Sequence, residues 1–248
     1  SELSLLPSDR PVKVRGVQVH GAKEAVAVAG QRAAVNLSGV DLDEVHRGQT
    51  LATPGTLRPS RAIDARLQLL PSSRALKHGA RVRFHQGTSE VLGRVALAAV
   101  LPQPGGDGLA PPGQGAEIPP GADAYVRLRL EAPAVLARGD RFIVRAYSPP
   151  ITIGGGLVLD PLPDRGPIRT EASRRRFEAL DPARAATPQE AADRALAALV
   201  SARGAAGLAL HAVVWRLGAA PDEVPALVER QASAGTAMRV GDVLAEPA

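Results

Sequence analysis

The chain has 248 residues, of which 45% are hydrophobic and 22% charged, and a formal net charge of +5. The apolar share excludes wholesale disorder, and the absence of cysteine excludes a disulfide framework, a thiolate metal site and a cysteine nucleophile. His20, His46, His78, His85 and His211 form no HExxH and no pair at helical spacing, so no metal site is expected. Aromatic residues are 2% of the chain, so Ala, Val and Leu must fill several small cores, and 25 Gly with 22 Pro predict many turns between short strands. No apolar run approaches the roughly 20 residues of a membrane span, and SELSLLPSDR has no basic n-region or long apolar stretch. The expectation is a cytoplasmic protein with no membrane partner. Nearly all basic residues are Arg, with Lys only at 13, 23 and 77. That bias reflects either a GC-rich coding sequence or a polyanionic partner, since guanidinium binds phosphate in bidentate fashion.

Residues 11–52 read as β structure. Val12, Val14, Val17 and Val19 alternate with Lys13, Arg15 and Gln18, and Gly16 shifts the phase as a bulge does. AVAVA (25–29), RAAVNL (32–37) and TLA (50–52) follow as strands between Gly-containing turns. These strands are too few to close a barrel, which leaves an open edge to be covered.

Residues 58–162 read as a second β block. Ile63, Ala65, Leu67 and Leu69 alternate with Asp64, Arg66 and Gln68, and RVRFH (81–85) and EVLGRVALAAV (90–100) come next. In AYVRLRLE (124–131), Val126, Leu128 and Leu130 share one face, and Arg127 and Arg129 form a basic stripe on the other. FIVRAY (142–147) and ITIGGGLVL (151–159) close the block, which predicts a small antiparallel barrel. The Pro/Gly-rich stretch 102–124 is expected to be a long loop.

The pattern then turns helical. SRRRFEAL (173–180) is a charged helix within a linker at 163–186. Thr187-Pro188-Gln189-Glu190 is a capping box with Pro at the first helical position, and Ala192, Ala195, Leu196, Leu199 and Val200 supply an apolar stripe behind it. A second helix at 208–218 ends at Gly218, a third runs over about 222–234, and AMRVGDVL (237–244) reads as a hairpin. Three helices and a hairpin are a winged-helix plan, placed at 187–248. Trp215 and Val213, Val214 and Leu217 are expected in its core. The third helix carries Asp222, Glu223 and Glu229 against Arg230, a charge balance that repels nucleic acid. The acidic clusters at 41–44, 178–181, 189–193 and 221–223 read as solvated turns and helix starts.

No GxxxxGK[ST], NKxD or GxSxG occurs, and the Gly run at 154–156 leads into a strand rather than a helix. No catalytic residue is therefore assigned. AGQRAAVNLSGVDLDEVHRGQTLATPGTL (29–57) resembles the second domain of elongation factor Tu-type translation factors. RFHQGTSEVLGRVAL (83–97) and RGDRFIVRAYSPPITIGGGLVLDP (138–161) resemble the third. Together with VRGVQVHG (14–21) and the winged helix, their form is most similar to the selenocysteine-specific elongation factor family. The resemblance implies a mainly β chain. An incomplete second-domain barrel at 1–57 precedes a third-domain barrel at 58–162, the linker and an α+β winged-helix module. It also implies a middle piece of such a factor, with GTP and magnesium belonging to a GTPase domain that this chain does not contain. The implied partners are selenocysteyl-tRNA, the ribosome and, through further winged-helix modules, a selenocysteine-insertion mRNA hairpin.

Carried over residue by residue, the resemblance places Arg32 in the aminoacyl pocket, where a permanent guanidinium prefers an ionised selenol to a neutral hydroxyl. The alternative is an edge arginine paired with Asp41 or Glu44. His85, Thr88, Gly155 and Gly156 are placed near the tRNA backbone, with surface polar groups and a tight turn as their alternatives. Arg127 and Arg129 track phosphates or are only a solvated strand face. Two other functions compete: a winged-helix DNA-binding regulator with a β sensor domain, and an accessory region of another Tu-like translational GTPase.

Overall fold

The N-terminal residues make an open antiparallel sheet in the computed structural model, which describes residues 1–102 and 116–247. Its strands are β1 (Glu2–Leu6), β2 (Arg10–Val19), β3 (Ala22–Glu24), β4 (Ala33–Ser38) and β5 (Thr50–Ala52). The order is β3-β2-β1-β5, with β4 also on β2. The phase shift read at Gly16 is a register shift between Val14 and Gly16 in the β2–β4 ladder. Two expectations change. SELSLL is a strand, because buried Leu5 and Leu6 pair it between β2 and β5. AVAVA is not a strand: Val17 of β2 pairs with Glu24 on one edge and Val35 on the other, which leaves no ladder for 25–29. Val26 and Val28 are accordingly exposed.

The second block closes on itself. Its elements are β6 (Pro59–Leu69), β7 (Leu76–Lys77), β8 (Arg81–Gln86), β9 (Ser89–Val100), β10 (Glu117–Ile118), β11 (Asp123–Val135), β12 (Arg141–Ala146) and β13 (Thr152–Asp160). Six of them form a closed barrel in the order β11-β6-β13-β12-β8-β9. The alternating apolar residues fill it: Ile63, Leu67, Leu69, Phe84, Leu97, Val126, Leu128 and Phe142 are buried inside. Most of the Pro/Gly-rich stretch, 103–115, lies outside the described residues. Its end is not the expected loop, since β10 pairs with β7 and Ile118 is fully buried in the barrel core.

The remainder comprises α1 (Glu171–Leu180), α2 (Pro188–Arg203), β14 (Leu208–Ala209), α3 (Leu210–Leu217), α4 (Val224–Ser233), β15 (Met238–Val240) and β16 (Val243–Ala245). From α2 onward, the helices and the β14-β16-β15 sheet follow the winged-helix order. Thr187 caps α2 by accepting from Glu190 N–H, while the Glu190 carboxylate accepts from Ala186 N–H, one residue before the expected partner. Residues 208–209, expected as helix, are a strand on β16.

A second core lies outside the barrel. Ala96, Ala98 and Ala99 on β9, with Tyr125 and Leu159, meet Phe177 and Leu180 of α1 and the apolar stripes of α2, α3 and α4. The rings of Tyr125 and Phe177 stack at 5.3 Å. Trp215, expected in the winged-helix core, is half-buried at its edge, under the Arg58 guanidinium at 5.4 Å.

Two buried carboxylates pin the helices to the barrel. Asp64 on β6 takes Arg127 of β11 in bidentate fashion, at 2.6 and 3.0 Å, and also Arg176 of α1. Asp160 at the end of β13 takes Arg176 at 3.1 Å and Arg216 of α3 at 2.6 Å. Arg216 continues to Asp164 at 3.3 Å. Burial pushes the Asp64 carboxyl above its ordinary range, against the lowering effect of the Arg127 hydrogen bond. Removing one member strands a buried charge, which costs about 3–5 kcal/mol. We therefore expect Arg216→Ala to lower unfolding stability by about that amount in urea denaturation. Exposed Lys13→Ala, which breaks only the surface pair with Glu2, should cost at most about 1 kcal/mol.

Candidate nucleic-acid interface

The helices cover only part of the barrel's outer wall. On β11 the outward positions are Tyr125, Arg127 and Arg129, and the cover ends between the two arginines. Arg127 is buried: besides Asp64 it donates to the Asp164 and Gly166 carbonyls at 3.2 and 3.3 Å. The expectation that Arg127 tracks phosphates is therefore corrected, because the 160s segment lies over it. Arg129 is exposed.

Strand pairing then brings arginines side by side. Arg129 of β11 is directly opposite Arg94 of β9, and Arg94 is directly opposite Arg81 of β8. One strand further, Arg83 of β8 is opposite Arg145 of β12. Cross-strand neighbours share a face, and like charges directly opposite are destabilising. Two carboxylates offset this. Glu131 takes Arg81 in bidentate fashion at 2.6 and 2.8 Å, and Glu90 takes Arg83 at 2.6 Å. The Arg81 hydrogen bond, with the charges of Arg81 and Arg94, holds Glu131 below the ordinary carboxylate range. Arg83 does the same to Glu90, with His85 and Arg145 adding to it. His78 beside this face is pushed down by burial and by the charges of Arg169 and Arg129. Five guanidiniums against two carboxylates leave this wall positive. A row of three across two strand spacings spans roughly 10 Å, a span that suits successive phosphates of a nucleic-acid backbone. Arg94 and Arg81 escape sequence reading because their alignment with Arg129 exists only once β8, β9 and β11 are in register. Their outward parity in 81–85 and 90–100 was the available signal.

His85 lies on the same face, opposite Ile143 and Glu90, with its Nδ1 4.0 Å from Glu90 and its buried Nε2 without a partner among the described residues. Thr88 is at the tip of the β8–β9 hairpin, where its carbonyl accepts from Arg47 Nε at 3.2 Å. There the N-terminal sheet meets the barrel, with Gly48 packed against Ser89. Gly155 faces outward opposite Ile143. Gly156 faces Phe142, and a Cβ there would lie 2.0 Å from the Arg66 carbonyl oxygen and 2.7 Å from the Phe142 ring. Gly156 is required by barrel packing. Because the glycine run 154–156 lies inside β13, it does not form a phosphate loop, and no nucleotide chemistry is assigned to these residues. Arg32, exposed just before β4, has no ion-pair partner among the described residues. Glu44 is instead taken by Arg10, so the Arg32–Glu44 alternative does not hold.

On the winged helix, the exposed positions of α4 are Pro225, Ala226, Glu229, Ala232 and Ser233, and Arg230 is paired with Asp193. That face carries no free guanidinium toward a nucleic acid. No group of His, Asp and Glu suited to a metal ion occurs among the described residues. No helix among them is long and apolar enough to cross a membrane.

Comparison with known proteins places the barrel. Residues 63–165 match the family model described as the selenocysteine-specific elongation factor β-barrel domain. Over 162 residues, 65% of this chain, it is 38% identical to the selenocysteine-specific elongation factor of Desulfomicrobium baculatum and spans 23% of that protein's length. Among solved structures, a bacterial selenocysteine-specific elongation factor is similar in fold over 99% of this chain and 34% of its own. The TM-score is 0.67 at 22% identity. The apo translation elongation factor SelB from Methanococcus maripaludis is similar over 64% of this chain and 35% of its own, with a TM-score of 0.52 at 23% identity.

If the row contacts phosphate, Arg94→Ala and Arg129→Ala should each reduce the slope of log affinity for RNA against log salt by about one unit, as measured by filter binding across a salt series. Arg127→Ala should instead lower thermal stability.

Proposed function

We propose that this chain, which belongs to the selenocysteine-specific elongation factors through its six-stranded barrel, is the part of such a factor that grips selenocysteyl-tRNA. The arginine row Arg129–Arg94–Arg81 carries this reading. Lined up across three strands, it meets the backbone of a tRNA helix by charge and spacing, without reading sequence. His85, Thr88 and Gly155 flank the row and supply polar contacts to phosphate or ribose. Arg32 on the N-terminal sheet faces the aminoacyl end and favours the selenolate, whose negative charge it complements. The acidic, small-residue face of α4 makes the winged helix a spacer or docking element. Its lack of free basic residues disfavours a DNA-binding regulator.

In this reading the whole factor works in the cytoplasm. It delivers selenocysteyl-tRNA to the ribosome at recoded UGA codons, with GTP and magnesium held by a GTPase domain and the mRNA hairpin held by other winged-helix modules. The division of labour follows from the residues: this chain offers a positive wall and a lone guanidinium, both suited to holding an RNA and its charged end.

The reading is tested on the full-length factor. Arg32→Ala should weaken selenocysteyl-tRNA about ten- to a hundredfold and seryl-tRNA little, since a charge-assisted contact is worth roughly 1.5–3 kcal/mol. Lysine should rescue only in part, because an ammonium is the more strongly hydrated cation. Equal losses for both tRNAs would assign Arg32 to backbone binding or packing.

A further inference from the structure

One exposed aromatic residue stands at the end of the arginine row. Tyr147 follows β12 directly, opening the turn to β13, and is 44% exposed. Arg81 lies against its ring at 4.5 Å and Arg83 at 5.8 Å. Arg83 also donates from Nε to the Tyr147 carbonyl at 3.2 Å. Both guanidiniums are themselves held by carboxylates, Arg81 by Glu131 and Arg83 by Glu90. The ring is thus held by two oriented cations, although it is part of neither hydrophobic core. Beside it, Ile143 and Ile151 are 50% and 59% exposed, on strands and turns that the helices leave uncovered.

We propose that Tyr147 is a stacking platform for an unpaired nucleotide of the RNA bound on the arginine row. The proposal rests on the reading of that row as a phosphate contact and adds a preference for one kind of RNA. A backbone that follows Arg129, Arg94 and Arg81 arrives at the guanidinium on which Tyr147 rests. Within a regular helix the bases at that point are paired and stacked on each other, out of the ring's reach. A nucleotide that is unpaired next to the helix can turn its face onto the phenol ring, and every base has such a face, so the contact tolerates any sequence. The ring loses little freedom on binding because Arg81 and Arg83 already hold it. Charge selects the partner: a wall with two guanidiniums against the aromatic and three more on the adjoining strands favours a polyanion over an apolar peptide.

The experiment uses the whole chain and two synthetic RNA duplexes of equal phosphate count, one blunt and one with a single unpaired 2-aminopurine nucleotide at an end. Stacking quenches 2-aminopurine fluorescence. Wild type should bind the duplex with the unpaired nucleotide about tenfold more tightly than the blunt one and quench its fluorescence, tenfold being a typical value for one base on one aromatic ring. Tyr147→Ala should remove both the tenfold preference and the quenching while leaving blunt-duplex affinity within about twofold. Tyr147→Phe should retain both, which separates ring stacking from hydroxyl chemistry. The proposal is overturned if wild type binds both duplexes equally, or if Tyr147→Ala weakens both to the same degree, which would make the ring a mere support for Arg81. If neither duplex binds wild type, the phosphate reading of the row itself fails, which is a separate result.

Discussion

The two buried carboxylates, Asp64 and Asp160, set how the helices sit on the barrel. Neither tolerates isolation from water without partners, and three guanidiniums from three different elements supply them: Arg127 from the barrel, Arg176 from α1 and Arg216 from α3. Such a cluster adds little net stability over an apolar contact of the same volume, because desolvating the charges offsets most of their attraction. It does impose one arrangement. An apolar strip of alanines on β9 would let the helices slide, whereas the ion pairs of Arg176 on Asp64 and of Arg176 and Arg216 on Asp160 fix their register.

That arrangement divides the barrel wall in two. Where β9 carries Ala96 and Ala98, the helices pack, Tyr125 stacks on Phe177 and Arg127 is sealed beneath the 160s segment. Where the same strand carries Glu90 and Arg94, the wall stays open and its guanidiniums face solvent beside Arg81 and Arg129. The covered half uses arginine to neutralise buried carboxylates. The open half stacks like charges across strands and, among the described residues, has Glu90 and Glu131 to relieve them. A free protein gains nothing from that opposition, and this supports the proposed reading of the open wall as a phosphate-binding surface.

The barrel was legible because its alternation is regular and its apolar parity matches the interior residue by residue, from Ile63 to Val144. Helix starts were legible because capping is local, and Thr187 acts within three residues of itself. What sequence could not supply was cover. Arg127 and Arg129 have the same parity and both lie between aliphatic residues, and only the position of the 160s segment separates a buried ion pair from an exposed cation. Asp181, in the cluster at 178–181, reads as a solvated acid for the same reason, and nothing in the sequence singles out Asp64 or Asp160. Asp181 in fact accepts from the buried Tyr125 hydroxyl at 3.0 Å. A signal existed in EVLGRVALAAV: its outward positions change from Glu90 and Arg94 to Ala96 and Ala98, and that change marks where water ends. AVAVA failed for the opposite reason. Its local pattern suits a strand, but both edges of β2 were already taken.

The three parts of the chain are tied together unequally, and this bears on how a bound RNA would be felt elsewhere. The winged helix and α1 grip the barrel on several sides. In addition to the carboxylate cluster, Arg138 donates to the Leu180 carbonyl at 2.8 Å, and the left-handed Gly218 lies against the Arg138 backbone. Arg169 reaches the Leu97 carbonyl at 3.0 Å and His78 at 2.8 Å. These contacts fall on β9, β11 and β13 and their loops, so two of the strands that carry the arginine row also carry the helices. A displacement of the row cannot occur without moving the base on which the winged helix stands. The N-terminal sheet is joined differently, through Arg47 on Thr88, Gly48 on Ser89 and the cation of Arg58 over Trp215. Those contacts are one hydrogen bond, one van der Waals contact and one cation–π pair, each individually weak. In the proposed reading, the sheet that bears Arg32 is the part with the weakest ties to the rest, and the barrel and winged helix together are the fixed support for the RNA.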